Sequence, residues 1–405
     1  MRFRFPILLF IVLLLIASCS HKPRQKRFSF WNFDQMHDVR KSLKRSLFLF
    51  NSSYSALIDS ADEAISEGPF SVTQRIVLPE SGDHRDYMSF GIHWWPDPLG
   101  TNGLPYVRRE KEVNSDADIN LRQLNRLSRN VQSLSLAWFF SREEQYAEKA
   151  GELLRTWFLD SLTRMNPNLD HAGAIPGRRT GRSSGVSEGL ALVTMLDGIV
   201  IAEASGALKG AEEKLVREWY QAYFQWLLES PLALEAGTLT GRHALGREAQ
   251  LMGIAHFLKD DAFVQQRIPT VTLPLIRKMV GESGRISADL RGNGSFADRV
   301  ECLEYFFRIG ETGLRTEVDV DGYSQSDSGV VRRALDQLIE EYQAMNVSGN
   351  VDPADELAEA KLGNLVRFAA WRFVEPSYEK VWEESFSRKF GQMPELLVLP
   401  GHENL

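Results

Sequence analysis

Apolar residues recur at three- and four-residue steps along most of the chain beyond residue 117. Leu121, Leu124, Leu127, Val131, Leu134 and Trp138 share one helical face. So do Leu215, Trp219, Tyr223, Trp226 and Leu227, and later Val331, Ala334, Leu335, Leu338, Ile339 and Tyr342. The runs break at clusters rich in Gly, Pro and Asn, among them ESPLALEAG, GESGRISADLRGNGS and NVSGNVDPAD. No alternating run of β-branched residues is long enough to compete. The pattern predicts an all-α chain of roughly ten helices, mostly antiparallel neighbours joined by short loops. A body of about 360 residues exceeds what one solid core usually holds. A ring of helical hairpins resolves this, because its inner helices surround a groove, with irregular loops at the groove mouth.

The chain opens MRFRFPILLFIVLLLIASCS, two arginines ahead of an apolar run that ends in small residues before Cys19. This is the pattern of a secretory signal of the bacterial lipoprotein type. It divides the chain into a signal peptide at 1–18, a short solvated tether at 19–30, a helical body at 31–390 and a tail at 391–405. Cys19 is then the lipidated residue, and Ser20 after it favours an outer membrane, facing the periplasm or the cell surface. No second apolar segment of spanning length is expected. The only other cysteine is Cys302, so an acylated Cys19 leaves no disulfide to form and the body relies on its core. A net charge of −7 gives no footing for nucleic acid. A monomer is expected.

Three irregular stretches carry candidate chemistry. The first, SGDHRDYMSFGIHWWPDPLGTNGLPYVRRE, brings Tyr87, His93, Trp94, Trp95 and Tyr106, whose flat apolar faces suit the C–H surfaces of sugar rings; plugging of the core is the competing role for each tryptophan. The second, residues 163–185, offers Asn166, Asn168, His171, Arg178, Arg179 and Arg182 in a Gly-rich loop. Arginine forks suit carboxylates, and a net-acidic chain that gathers arginines in one loop points to an anionic ligand; helix capping and surface ion pairs are the alternative. The third pairs TGRHALGREAQ with ADLRGNGSFADR, bringing Arg242, His243, Arg247, Glu248, Asp289, Arg291 and Asp298. None of the eight histidines sits in an HExxH or H-x3-H pattern, and cysteine ligands are lacking, so neither metal nor cofactor is expected. No GxSxG elbow, P-loop or dinucleotide fingerprint occurs.

The words EGPFSVTQRIVLPESGDHRDYMSFGIHWWPDP, GLPYVRREKEVN, YAEKAGELLRTWFLDSLTRMNPNL and AIPGRRTGR resemble, in order and spacing, the alginate lyase family of polysaccharide lyases. The resemblance implies an incomplete (α/α) toroid and metal-independent β-elimination on an acidic, uronic-acid-containing polysaccharide, alginate-like or glucuronan-like. In that family's pattern His243 falls on the histidine of the catalytic block, Arg242 replaces an asparagine, and Arg291 falls on a catalytic arginine. The family's tyrosine a few residues further on has no counterpart, with Phe296 and Tyr305 the nearest aromatics. His93 stands in a tyrosine position, and Gly173 replaces a glutamine. The expected catalytic set is His243, Arg242 and Arg291. The expected substrate-binding set is Tyr87, His93, Trp94, Trp95, Tyr106, Asn166, Asn168, His171, Arg178 and Arg182. The alternative is a lipoprotein that keeps the groove and binds acidic polysaccharide without cleaving it.

Overall fold

The computed structural model describes residues 27–45, 51–239, 241–288, 294–323, 329–347 and 355–398. Cys19 and Arg291 lie outside these residues. In chain order the elements begin with α1 (Phe33–Lys44), α2 (Asn51–Ser66), β1 (Met88–Phe90), β2 (Trp94–Trp95) and β3 (Val107–Arg108). Next come α3 (Ile119–Ser141), α4 (Glu144–Phe158), β4 (His171–Ala174), α5 (Leu190–Thr194), α6 (Leu196–Ser205), α7 (Gly210–Glu229) and α8 (Pro231–Thr238). After them run α9 (Arg242–Leu258), α10 (Asp261–Arg267), α11 (Leu273–Met279) and α12 (Phe296–Arg315). The last are α13 (Val330–Val347), α14 (Glu356–Arg372), α15 (Pro376–Ser385) and α16 (Ser387–Phe390). The helices outnumber the ten expected because short turns split several apolar runs, as Met195 does between α5 and α6.

The fold is an all-α toroid. Its inner ring is α3, α5–α6, α9, α12 and α14, each packed on the next, with α4, α7, α10, α13 and α15 outside and α2 against α3. Burial follows from that placement. Outer α13 buries one stripe, Val331, Ala334, Leu335, Leu338, Ile339 and Tyr342. Inner α9 is buried at every position from Ala244 to Phe257. The apolar stretch Ser183–Ser205 does have the length and composition of a membrane span, contrary to expectation, but 72% of its most apolar window is buried inside the ring.

Both ends of the body reach further than expected. Phe28, Phe30 and Trp31 are buried, so the solvated tether ends before residue 28 and not at 30. At the other end a 3-10 turn, Pro394–Leu397, buries Leu396 and Leu397 and packs on α2, so the residues to 398 belong to the core.

The five inner helices share one polarity. At one end stand Arg242 and His243 of α9, Glu301 of α12 and Leu357 of α14, the first turns of their helices or close to them. At the other, Arg315 at the end of α12 donates to the carbonyls of Ser29, Phe30 and Trp31. Phe368 near the end of α14 packs on Phe30 at 5.3 Å. In α5–α6, Thr194 meets Ser128 and Gly198 meets Ser135, so this element runs parallel to α3. Helix N-termini therefore gather at the mouth, where their dipoles favour negative charge.

Candidate active site

A cavity of about 890 Å³ occupies the centre of the ring. All five inner elements line it, together with Gly173, Arg182, Ser184 and Gly185 from the Gly-rich loop. Arg182, Arg242 and His243, drawn from segments some sixty residues apart, thus share one hollow.

His243 opens α9 behind Gly241, whose φ of +76° glycine tolerates. Its Nδ1 lies 3.3 Å from the Ser187 hydroxyl, which leaves Nε2 as the other ring nitrogen for a ligand. Burial, then the positive charge of Arg242, holds the imidazole below its ordinary pKa, so it is neutral near pH 7. Arg242 binds Asp298 at 2.8 Å and Glu301 at 3.3 Å. Its charge is therefore already matched by carboxylates.

Arg182 is placed differently. Its Nε donates to the Gly173 carbonyl, and the carboxylate beside it is Glu188. Glu188 accepts on one oxygen from the hydroxyls of Tyr87 and Ser89, each at 2.7 Å. Burial raises its pKa, against the pull of those bonds and of Arg182. Gly173 has φ +63°, and β4 pairs in parallel with β1, an arrangement that carries the loop to the cavity edge.

Further in, Glu304 binds Arg308 and Lys361, both at 2.9 Å. Burial alone would raise its carboxyl, but Lys361 and Arg308 outweigh that and lower it to about 2. The lining holds five cations, Arg129, Arg182, Arg242, Arg308 and Lys361, against the carboxylates of Glu188, Glu301, Glu304 and Glu395. Among the described residues no group of three or more His, Cys, Asp or Glu is placed to hold a metal ion.

Several expected ligand contacts are structural instead. Tyr87 is fully buried and Tyr106 nearly so, the latter edge-on to Phe90 at 5.4 Å, so neither presents a face to a sugar. Asn166 spends its amide on Asp83 and Asp86, at 3.0 and 2.7 Å, and Asn168 reaches Asp86 at 3.4 Å. His171 is buried 3.6 Å from Asp86. Burial would raise the Asp86 carboxyl, but bonds from His171, Asn166, Ser81 and Asn168 hold it well below the usual range. These residues clamp the loop that carries Arg182.

Trp94 and Trp95 are half-buried in a two-stranded ribbon with β3 and do not line the cavity. The exposed Arg178 lies over Trp94 at 6.0 Å and Arg109 over Trp95 at 5.5 Å. His93 Nδ1 sits 3.1 Å from the Glu112 carbonyl. Arg247 and Glu248 form a buried network with Arg267 and Thr272. Tyr305 is buried and donates to Glu301 at 2.6 Å, outside the cavity lining.

Reasoning from the sequence missed Glu188, Glu304, Arg308 and Lys361. Glu304 and Arg308 sit four apart, as exposed helix pairs do, and nothing local marks them as facing inward.

The family model for alginate lyase matches residues 71–347. The solved structure of an alginate lyase from Bacteroides ovatus superposes with a TM-score of 0.79 at 25% identity, over 91% of this chain and 98% of that one. No curated protein matches.

Proposed function

The chain belongs to the alginate lyase family, and from that premise we propose that it is an active polysaccharide lyase that cleaves a uronic-acid polymer by β-elimination. The observation that supports this reading is the shared cavity of Arg182, Arg242 and His243 beneath converging helix N-termini.

A uronate C5 proton is too weakly acidic to leave while the neighbouring carboxylate keeps its full charge. Arg182 meets that carboxylate, since Arg242 is already held by Asp298 and Glu301. His243, neutral at working pH, takes the C5 proton through Nε2 while Ser187 fixes the ring. The electron pair forms the C4–C5 double bond and expels the O4 oxygen, and the imidazolium returns a proton to it. A positioned base is worth roughly 10²–10⁴-fold. Arg242 tunes His243 and does not touch the sugar. We further propose export and a lipid anchor at Cys19, which set the protein where such polymers are met.

The test is a panel of uronic polysaccharides, alginate and glucuronan among them, followed by the ultraviolet absorbance of the unsaturated product. Product from one polymer supports the lyase. Tight binding with no product from any polymer replaces it with the binding protein.

A further inference from the structure

The central cavity is blind. Residues 28–31 cross under the inner helices at the end away from His243, and Phe30 and Trp31 form part of the wall. This strap is held on both sides. The Asp197 carboxylate accepts from the backbone N–H groups of Ser29, Phe30 and Trp31, at 2.5, 2.8 and 2.7 Å. Arg315 donates to the three carbonyls of the same residues, at 3.0, 2.9 and 3.2 Å. The ring of Phe30 is covered by the Arg308 guanidinium at 4.7 Å. Trp31 also lines a second, separate hollow of about 490 Å³ on the other side, so the strap is a partition.

Polar lining continues down to that partition, through Gln132, Arg308, Lys361 and Asn364. Asn364 lies one helical turn beyond Lys361 toward Phe368, which packs on Phe30. The volume falls in the range that encloses one compact ligand, roughly 300–1,000 Å³. A polymer that threads the ring needs an opening at each end, and this cavity has its floor closed by Phe30 and Trp31.

We propose that the protein takes its substrate by a chain end: the terminal sugar passes His243 and lodges against the partition, so that cleavage is exolytic. This rests on the uronan-lyase reading above. An internal sugar carries chain on both sides and cannot reach the blind end.

Digestion of a cleaved uronan, followed by chromatography and viscosity, tests it. We expect unsaturated fragments of one to three sugars from the earliest times, with long chains persisting and viscosity falling slowly. A ladder of long oligosaccharides with an early collapse in viscosity overturns end capture and leaves the lyase intact. Asn364→Phe, which fills the blind end, is expected to lower kcat/KM on polymer by about tenfold or more, with the melting temperature near wild type; an unchanged rate overturns the proposal. Binding gives a readout without turnover, using uronate trisaccharides bearing a bulky fluorophore on one end, the other, or both. A label on the captured end is expected to weaken binding by about tenfold or more, and one on the opposite end to be tolerated. Equal affinity for free and doubly blocked sugars overturns end capture. Neither product nor affinity with any uronate overturns the acidic-sugar reading and this inference together.

Discussion

The Ser187 hydroxyl lies 3.3 Å from His243 Nδ1, joining the turn before α5 to the first residues of α9 across 56 positions of sequence. The bond fixes which imidazole nitrogen is left for substrate. Ser187→Ala removes one neutral hydrogen bond of about 0.5–1.5 kcal/mol. We expect kcat to fall roughly two- to tenfold with KM little changed. An unchanged kcat in steady-state assays removes Ser187 from the mechanism.

Arg242 acts on His243 by charge. A base must be unprotonated, so activity rises with pH through the folded pKa of His243, which burial and Arg242 hold below its ordinary value of 6.5. The wild-type rate is therefore flat from about neutrality upward. In Arg242→Gln the positive neighbour is gone while Asp298 and Glu301, which favour the charged imidazole, remain. The acid limb of the kcat/KM profile moves to higher pH. A limb that stays put, or moves down, contradicts this assignment.

Asp197 holds three backbone N–H groups of the partition, and its carboxylate is buried among them. Asp197→Ala leaves those donors without an acceptor, at about 1–3 kcal/mol for each group left unsatisfied. We expect urea unfolding to show a loss of at least about 3 kcal/mol. A loss below about 1 kcal/mol means water takes over the contacts.

Helices were legible wherever one face meets the core and the other meets solvent, as in α13. The chemistry of α9 was harder to read, because a helix buried all round carries no face to contrast. Its Arg247, Glu248 and Gln250 look like surface residues and are buried. The loop residues divide by partner. Arg182 reaches the cavity because Gly173 and the β1–β4 pairing bring it there, whereas Asn166 and Asn168 are consumed by Asp86. Sequence order records neither choice. Nor does it record which way an aromatic side chain turns: Tyr87 sits under Glu188, and Trp95 lies on the ribbon beside Arg109.

The most direct measurement is the rate of unsaturated-product formation by His243→Ala beside wild type, on the polymer cleaved best, with melting curves for both. We expect a loss of roughly 10²–10⁴-fold at an unchanged melting temperature. A variant that stays folded and still eliminates at the wild-type rate contradicts His243 as the base.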